Sequence, residues 1–263
     1  MARWQPSPFV WGSAVLHGGL LGLIALDPPT WPWAIGTLVA DHAALAAAGM
    51  WPRSRLLGPN LRELPAGAAA RGEIALTFDD GPDPEITPRV LDLLDAAGAK
   101  GSFFVVGERA DRYSRLVIEM AHRGHAVENH TLVHSPHFPW YGVRRLTREL
   151  AHANALVESL TGRRPRYFRP PAGLRSPLLD PVLATLELSL VSWTRRGFDA
   201  VRKDPERVWQ RLAPAVRPGA ILLLHDGPGQ RAVLEVLPRV LAEVNARGLS
   251  AVAPLPGSAE RAG

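Results

Sequence analysis

The alternation of apolar and polar positions divides the chain into two unlike parts. Residues 9–26 include no formally charged side chain, and residues 34–50 include only Asp41. Each run has about 17 or 18 residues, which is the short limit for a helix that crosses a hydrocarbon core of roughly 30 Å. We therefore predict an apolar helical hairpin over residues 1–51.

After a segment rich in proline and glycine, short apolar runs alternate with amphipathic ones. The predicted strands are Ile74–Phe78, Ser102–Val106, His125–Asn129, Tyr167–Arg169, Ser189–Ser192, Ile221–Leu224 and Ser250–Ala253. The predicted helices are Thr87–Ala97, Arg109–Arg123, Leu146–Leu160, Leu178–Leu186, Pro205–Val216 and Arg231–Ala246. This alternation is typical of an α/β fold with a parallel sheet, either open or closed into a barrel. It predicts one domain over residues 73–255, with residues 52–72 as a linker and residues 256–263 as a tail.

The residues that do chemistry in such folds gather at the carboxyl ends of the strands. Asp79 and Asp80 follow the first predicted strand, and His130 and His134 follow the third. Neighbouring buried carboxylates need a cation, a proton or an arginine beside them, because they repel each other and lose hydration. Histidines four apart would lie on one side of a helical turn, a spacing used by metal ligands. Together with one carboxylate they would form a three-ligand site, as catalytic metals have.

Three later strand ends add further candidates. Arg169 precedes two prolines, whose rigid backbone would hold it in one direction, as the fixing of a carboxylate requires. Trp193 and Asp199 follow the fifth strand, and Leu223 lies in the aliphatic strand that leads to His225. Each candidate also has an ordinary structural interpretation, such as turn capping for the aspartates and a surface position for the arginine.

The composition narrows the possible chemistry and partners. None of the 263 residues is a cysteine, which excludes disulfides, thiolate metal sites and a cysteine nucleophile. Any metal must therefore be held by oxygen and imidazole. The net charge is +5, but the basic residues are scattered among acids, so we expect no nucleic-acid partner. Contact with anionic lipid headgroups fits this composition better, and no oligomeric state is assigned.

Four motifs in a fixed order resemble those of a known family. They are Thr77-Phe78-Asp79-Asp80-Gly81-Pro82, His130-Thr131-x-x-His134, Arg169-Pro170-Pro171 and Leu223-Leu224-His225-Asp226. This set resembles the polysaccharide deacetylase family, also called the NodB-homology domain or carbohydrate esterase family four. The resemblance covers residues 73–254. It implies a distorted (β/α) barrel with about seven parallel strands.

The resemblance also implies a metal centre and an enzymatic activity. By similarity, Asp80, His130 and His134 would hold a divalent ion, usually zinc, with cobalt or another divalent ion as alternatives. The implied enzyme is a hydrolase that acts on carbon–nitrogen bonds other than peptide bonds.

Catalytic roles follow from the same resemblance. Asp79 would be the general base, Arg169 would orient it, and His225 would be the general acid with Asp199 as its partner. The oxyanion would be bound by the metal and by a backbone N–H after the prolines.

The chain also departs from the family pattern at the expected substrate walls. Ala172, after Pro171, stands where many members have a tyrosine, so the pocket wall is smaller. Between the Arg169 and Leu223 motifs, the family normally has a further motif with two aspartates before a tryptophan, but here Thr194–Ala200 keeps only Asp199. We predict that Pro171, Ala172, Trp193 and Leu223 contact the substrate.

These observations favour a metal-dependent hydrolase that removes an acetyl or similar acyl group from an amino sugar of a glycan or lipid-linked saccharide. A deformylase or O-deacylase of a glycolipid would use the same residues. A catalytically silent, membrane-bound glycan-binding module is the alternative from a different class. The intact acids and histidines of the four motifs argue against the silent module.

Three interpretations compete for residues 9–50. A signal peptide has only Arg3 as its positive charge and lacks a clear cleavage site. A soluble hairpin is favoured by Asp41 and His42, because a lone acid at the bilayer centre costs about 3 kcal/mol. We prefer a membrane hairpin, either spanning or re-entrant, in a bacterial-type inner membrane. Arginines before and after it, at positions 3, 53, 55 and 62, favour a cytoplasmic catalytic domain by the positive-inside rule.

Overall fold

The computed structural model describes residues 4–253 and residue 255. The predicted tail, residues 256–263, and Arg3 therefore lie outside the described residues. Helix α1 spans Pro8–Leu26, and a 3-10 turn over Pro28–Thr30 leads into helix α2, Trp31–Met50. Helix α1 begins with Ser7 as its cap, whose hydroxyl accepts a hydrogen bond from Val10 N at 3.2 Å. Both helices are long and apolar enough to cross a bilayer.

The hairpin is joined internally by a few polar contacts. Ser13 Oγ donates to Asp41 Oδ2 at 2.6 Å, and His17 Nδ1 lies 3.8 Å from the same oxygen. Asp41 is therefore paired across the two helices, which reduces the cost of placing it in an apolar run. Large apolar side chains on both helices are nevertheless exposed, including Leu21 and Val39 at 63% and 65%.

The remaining elements alternate as the sequence predicts. The helices are α3 (Ala66–Ala70), α4 (Thr87–Ala96), α5 (Gly107–Arg112), α6 (Ser114–His122), α7 (Val143–Thr161), α8 (Leu179–Thr185), α9 (Pro205–Leu212) and α10 (Val233–Ala246). The strands are β1 (Glu73–Asp79), β2 (Gly101–Val105), β3 (Ala126–Asn129), β4 (Tyr167–Phe168), β5 (Ser189–Leu190), β6 (Arg195–Arg196), β7 (Ile221–His225) and β8 (Ser250–Ala251).

The strands form one curled parallel sheet in the order β5-β4-β3-β2-β1-β7-β6, with β8 paired to the start of β1. Alternate residues of β1 face opposite sides, as a period of two requires. Ile74, Leu76 and Phe78 pack with residues of the surrounding helices, whereas Ala75 packs inside the curled sheet. Asp79, four residues after Ala75 in the same strand, faces the same inner side of the sheet. The pattern therefore places this acid at the inner carboxyl end of the central strand.

A segment before the domain fills the seam between β5 and β7. Leu61 bridges Val191 in parallel, and Glu63 bridges Ala220 in antiparallel orientation. Leu64 adds its side chain to the inner core. The sheet with its helices is a distorted (β/α) barrel, which confirms the predicted fold class, while the boundary between linker and domain stays a prediction.

Among the differences from the predicted elements, three concern the later helices and strands of the barrel. The helix predicted over Arg109–Arg123 is two helices, because Tyr113 between them has φ −117° and ψ 43°, outside the helical region. The helix predicted over Pro205–Val216 is α-helical only to Leu212 and then tightens into a 3-10 turn. Strand β6 was not predicted, since its residues, Arg195 and Arg196, show no apolar run.

The hairpin meets the barrel at its carboxyl-end loops. Arg175 N donates to Gly49 O at 3.2 Å. A Cβ on Gly173 would lie 2.6 Å from Pro52 Cβ and 2.7 Å from the Trp193 ring, so glycine is the residue that permits this close approach. The base of the hairpin therefore lies beside the loop that follows Arg169.

Candidate active site

The two adjacent acids, Asp79 and Asp80, contact different groups. Asp79 is buried, and its Oδ1 accepts a hydrogen bond from Arg169 Nη1 at 2.6 Å. Arg169 is itself wholly buried and stacks on the Phe104 ring at 4.1 Å. Its Nη1 also donates to Thr77 Oγ1, and its other nitrogens donate to Val191 O and Ser192 O. Burial lowers the pKa of Arg169, and the Asp79 charge opposes this effect. A guanidinium held in this way fixes the Asp79 carboxylate in one orientation.

Asp80 lies with two histidines instead. Its Oδ1 is 3.4 Å from His130 Nε2 and 3.1 Å from His134 Nε2. Burial alone would raise the pKa of Asp80, but hydrogen bonds with both histidines outweigh it and hold the pKa well below its usual range. The three ligand atoms lie within 4.8 Å of one another.

The donor set fits a divalent transition metal such as zinc, which favours imidazole nitrogen and carboxylate oxygen. His130 Nδ1 donates to Arg169 O at 2.7 Å, so Nε2, on the side of Asp80, is the nitrogen that would bind a metal once it is deprotonated. Metal-binding histidines are usually oriented by this kind of bond. Arg169 therefore contacts Asp79 directly and is linked to Asp80 through His130.

The predicted helical turn between the histidines is wrong, although the two side chains do meet, with ring centroids 4.9 Å apart. Residues 130–137 form a loop in which Thr131 and His134 have positive φ angles of 71° and 50°. Asn129 Oδ1 accepts from Thr131 N, and Thr131 Oγ1 accepts from His134 N. Asp80 also has a positive φ, 72°, so two of the three candidate ligands occupy a backbone region that non-glycine residues rarely adopt.

His225 lies at the end of β7, next to β1 in the sheet, where it pairs with Asp79. Its Nδ1 donates to Asp199 Oδ1 at 2.8 Å, and its backbone N donates to Asp199 Oδ2 at 2.8 Å. Burial would lower the pKa of His225, but the charge and hydrogen bond of Asp199, with the charges of Asp79 and Asp80, raise it to about 9. The imidazole is therefore protonated at neutral pH, as a general acid must be.

The predicted substrate walls are near these groups. Trp193 is buried, and the Arg169 guanidinium lies 6.0 Å from its ring centroid. Pro171 and Leu223 are also buried, whereas Ala172 is exposed. Ala172 has φ 53° and ψ 6°, the left-handed conformation. The N–H groups of the next two residues bond to the proline carbonyls, and no such bond involves Ala172 N among the described residues.

Sequence reasoning missed the groups that support the second acid. Gln230 Nε2 donates to Asp80 Oδ2 at 2.7 Å, while its Oε1 accepts from Gly227 N at 2.6 Å. Arg109 donates to Asp80 O. Gln230 lies in a loop without a motif, so no sequence pattern could have identified it.

Asp226 ends the motif that contains His225, and the sequence predicted no role for it. It is buried, its Oδ2 accepts from Thr87 Oγ1 at 2.6 Å, and a Cβ on Gly81 would lie 2.5 Å from its carboxylate. Burial raises the pKa of Asp226 to about 7, with the charges of Asp80 and Asp79 adding to this effect against the Thr87 bond. Asp226 therefore packs directly behind the turn that carries both acids.

With the geometry established, comparison with known proteins identifies the family. A family model described as polysaccharide deacetylase matches residues 66–191. The chain is 34% identical over 168 residues to a chitooligosaccharide deacetylase of Sinorhizobium fredii, and the alignment covers 64% of this chain and 78% of that protein. The chain belongs to the polysaccharide deacetylase family.

Two further polysaccharide deacetylase relatives agree. A peptidoglycan-N-acetylglucosamine deacetylase of Bacillus cereus is 29% identical over 188 residues, covering 70% of this chain and 67% of that protein. A solved peptidoglycan N-acetylglucosamine deacetylase superposes with a TM-score of 0.67 at 27% identity, over 73% of this chain and 89% of that chain. Like its family, the protein is a hydrolase that acts on carbon–nitrogen bonds other than peptide bonds.

Proposed function

We propose that the protein removes an N-acetyl or similar small acyl group from an amino sugar of a glycan or lipid-linked saccharide. One observation carries this proposal. Asp79 is held by Arg169 through Oδ1 while its Oδ2 lies 3.9 Å from His130 Nε2, so a proton acceptor adjoins the candidate metal ligands. The names of the relatives, which act on chitooligosaccharide and peptidoglycan N-acetylglucosamine, support a carbohydrate substrate.

In this proposal Asp80, His130 and His134 hold the divalent ion, with zinc preferred and cobalt as a substitute. A divalent ion at this site supplies a Lewis acid next to the scissile amide. Family membership and the donor set both support metal dependence.

The proton transfers are assigned to this chain's own residues. Asp79 accepts a proton from the water that attacks the acyl carbon, and Arg169 keeps the carboxylate in position for this step. The free N–H of Ala172 donates to the oxygen that gains negative charge. His225, kept protonated by Asp199, donates to the sugar nitrogen as the carbon–nitrogen bond breaks. The products are the acid and the free amine.

Removal of a formyl group, or of an O-linked acyl group, would use the same proton transfers. The small side chain of Ala172 and the buried Leu223 accommodate either acyl group. The intact acids and histidines of the four motifs, Asp79, Asp80, His130, His134 and His225, favour both enzymatic alternatives over a silent glycan-binding module.

The test is acyl release by the purified full chain, in detergent with zinc or cobalt, from N-acetylglucosamine oligomers and from a lipid-linked N-acetylglucosamine. We expect Asp79→Asn to lower kcat by about 10³-fold, the range of general-base catalysis, with metal content unchanged. Asp111→Asn, at an exposed position of α5, is the matched control. Full activity in Asp79→Asn would contradict the assignment of the base.

We further propose that α1 and α2 form a membrane hairpin with the catalytic domain on the cytoplasmic side. The exposed apolar side chains support membrane association. Arg53, Arg55 and Arg62, just after α2, support this orientation. A reporter fused after Gly263 that is active only in the periplasm would overturn the orientation.

A further inference from the structure

Strand β6 brings a cation to the active site that the proposed mechanism does not use. Arg196 pairs with Leu223 in the sheet, two residues before His225. Its guanidinium lies 5.3 Å from the Trp193 ring centroid and 4.2 Å from the Phe198 ring centroid. Arg196 is half-buried, and it is close enough to Asp79 and Asp80 for their charges to act on it. Arg196 therefore lies beside the acids and the tryptophan of the candidate active site.

The hydrogen-bonding groups of Arg196 are not used by the protein. Its Nε is buried and donates no hydrogen bond, and among the described residues its other nitrogens form neither hydrogen bonds nor ion pairs. Arg169 differs sharply, because each of its three nitrogens donates to a protein acceptor. Burying an arginine donor without an acceptor costs free energy, so an acceptor from outside the protein is the expected partner.

The nearby acids do not supply that acceptor. Both oxygens of Asp199 accept from His225, and Asp79 is bonded to Arg169. Asp80 faces the two histidines of the candidate metal site and accepts from Gln230.

A second cation strengthens the positive character of this region. The Arg211 guanidinium lies 4.6 Å from the centroid of the same Phe198 ring. Its positive charge lowers the pKa of Arg196, although burial lowers that pKa more. Arg211 also forms no ion pair among the described residues. Two guanidinium groups beside one ring repel each other, and an anion between or beside them would offset this repulsion. Planar guanidinium groups bind phosphate and carboxylate oxygens especially well.

The position of the hairpin indicates where such an anion would come from. Gly173 lies in contact distance of both Pro52, just after α2, and Trp193, whose ring Arg196 also approaches. The base of an apolar hairpin and this cationic region thus flank the same short loop. A phosphate that joins a sugar to a lipid would lie between the reacting sugar and the apolar surface.

We propose that Arg196, assisted by Arg211, forms an anion subsite that binds the phosphate of a lipid-linked amino sugar while its acyl group lies at Asp79 and His225. This inference rests on the proposed function and specifies its substrate class. A carboxylate borne by the sugar has the same recognition chemistry and is the competing source of the anion.

The first experiment measures binding without turnover. Calorimetry with glucosamine 1-phosphate, a deacylated compound, should show binding to the full chain that weakens by about tenfold or more in Arg196→Gln, as expected for lost charge-assisted hydrogen bonds. Arg196→Lys should lose less, because it keeps the charge. Arg195→Gln, at the exposed neighbouring position, is the matched control and should bind normally. Equal binding by Arg196→Gln and the parent chain would overturn the subsite.

The second experiment separates the two sources of the anion. The kcat/KM values are compared for a prenyl-phosphate-linked N-acetylglucosamine, N-acetylmuramic acid and neutral diacetylchitobiose. We expect Arg196→Gln to reduce the preference for the phosphate substrate over the neutral one by about tenfold or more, mainly through KM. A loss confined to the carboxylate substrate, or an equal loss on all three, would overturn the phosphate assignment. Absence of turnover in the parent chain would count against the proposed function, while the binding result would still decide the subsite.

Discussion

Arg169 at the centre of the barrel is wholly buried and donates from every nitrogen, whereas Val39 in the hairpin leaves 65% of its surface uncovered. The barrel encloses this guanidinium and satisfies it with its own acceptors. The hairpin encloses little and presents apolar side chains outward. The conformation of the first region therefore depends on contacts within the chain, while the stability of the second depends on the medium around it.

The largest effect that would test this contrast is expected at Asp199 and His225, which pair inside the barrel. Asp199→Asn removes the charge that raises the pKa of His225, and we expect kcat/KM at neutral pH to fall by about 100-fold. In the parent chain, activity should fall as pH rises through about 9, where His225 loses its proton. In the variant this decline should begin at lower pH. A pH–rate profile that does not move would contradict the role of Asp199.

A comparable change in the hairpin should affect membrane partition and leave the active site intact. Val39→Glu places an acid near the middle of α2 and should weaken membrane association by about 3 kcal/mol, or roughly 100-fold. Val201→Glu, at a domain position that is 75% exposed, is the control and should partition like the parent. Flotation with vesicles measures both. If Val39→Glu floats like the parent chain, the hairpin does not insert.

A smaller effect is expected from a buried histidine outside the site. His125 packs edge-on against Phe103, and burial, assisted by the Lys100 charge, lowers its pKa from 6.5 to about 4. The folded state therefore binds this proton less readily than the unfolded state. The stabilisation from His125 is fully present above about pH 6.5 and is lost as pH falls towards 4, by at most about 1.4 kcal/mol per pH unit.

Urea unfolding between pH 7 and pH 4.5 measures this loss. His125→Gln should show a shallower decline than the parent chain, because the buried imidazole is gone, whereas His137→Gln at an exposed position should decline as the parent does. Using the difference between variants removes the contribution of the histidines in the metal site. Parallel curves for His125→Gln and the parent chain would exclude the assignment.

The smallest effect concerns backbone strain at the pocket. Ala172 adopts φ 53°, so Ala172→Gly should stabilise the fold by roughly 1 kcal/mol. Ala155→Gly, at an exposed position inside α7, should have the opposite sign and cost about 1 kcal/mol. Thermal unfolding measures both. Destabilisation by Ala172→Gly would show that the left-handed conformation is not strained.

The same contrast explains how far the sequence could be interpreted. Apolar runs such as Ile221–Leu224 predict buried parallel strands, and the carboxyl-end rule correctly gathers Asp79, Asp80 and His225 at one edge. Local patterns could not predict β6, because Arg195 and Arg196 become a strand only by pairing with β7. Its recognition required the tertiary fold.

The metal-site loop shows a second limit. His130 and His134 were expected to meet through helical spacing, but positive φ angles and the Asn129 and Thr131 side chains bring them together. Gln230, which supports Asp80, comes from a loop 150 residues away along the chain. Contacts of this separation leave no periodic signal in a single sequence.

The segment over residues 61–64, which closes the barrel between β5 and β7, has a consequence for folding during synthesis. Arg62 O accepts from Thr194 Oγ1, 132 residues later, and Glu63 pairs with Arg217, 154 residues later. The segment that closes the barrel is therefore made early and must wait for its partners, which lie between Val191 and Ala220, before it can pair. Because such distant contacts carry a large loop-closure entropy, we expect barrel closure to be a late step of folding, after the hairpin has left the ribosome. A ribosome-bound chain that ends before Ser189 should leave Leu61 and Leu64 accessible to a protease, and one that extends past the last helix should protect them.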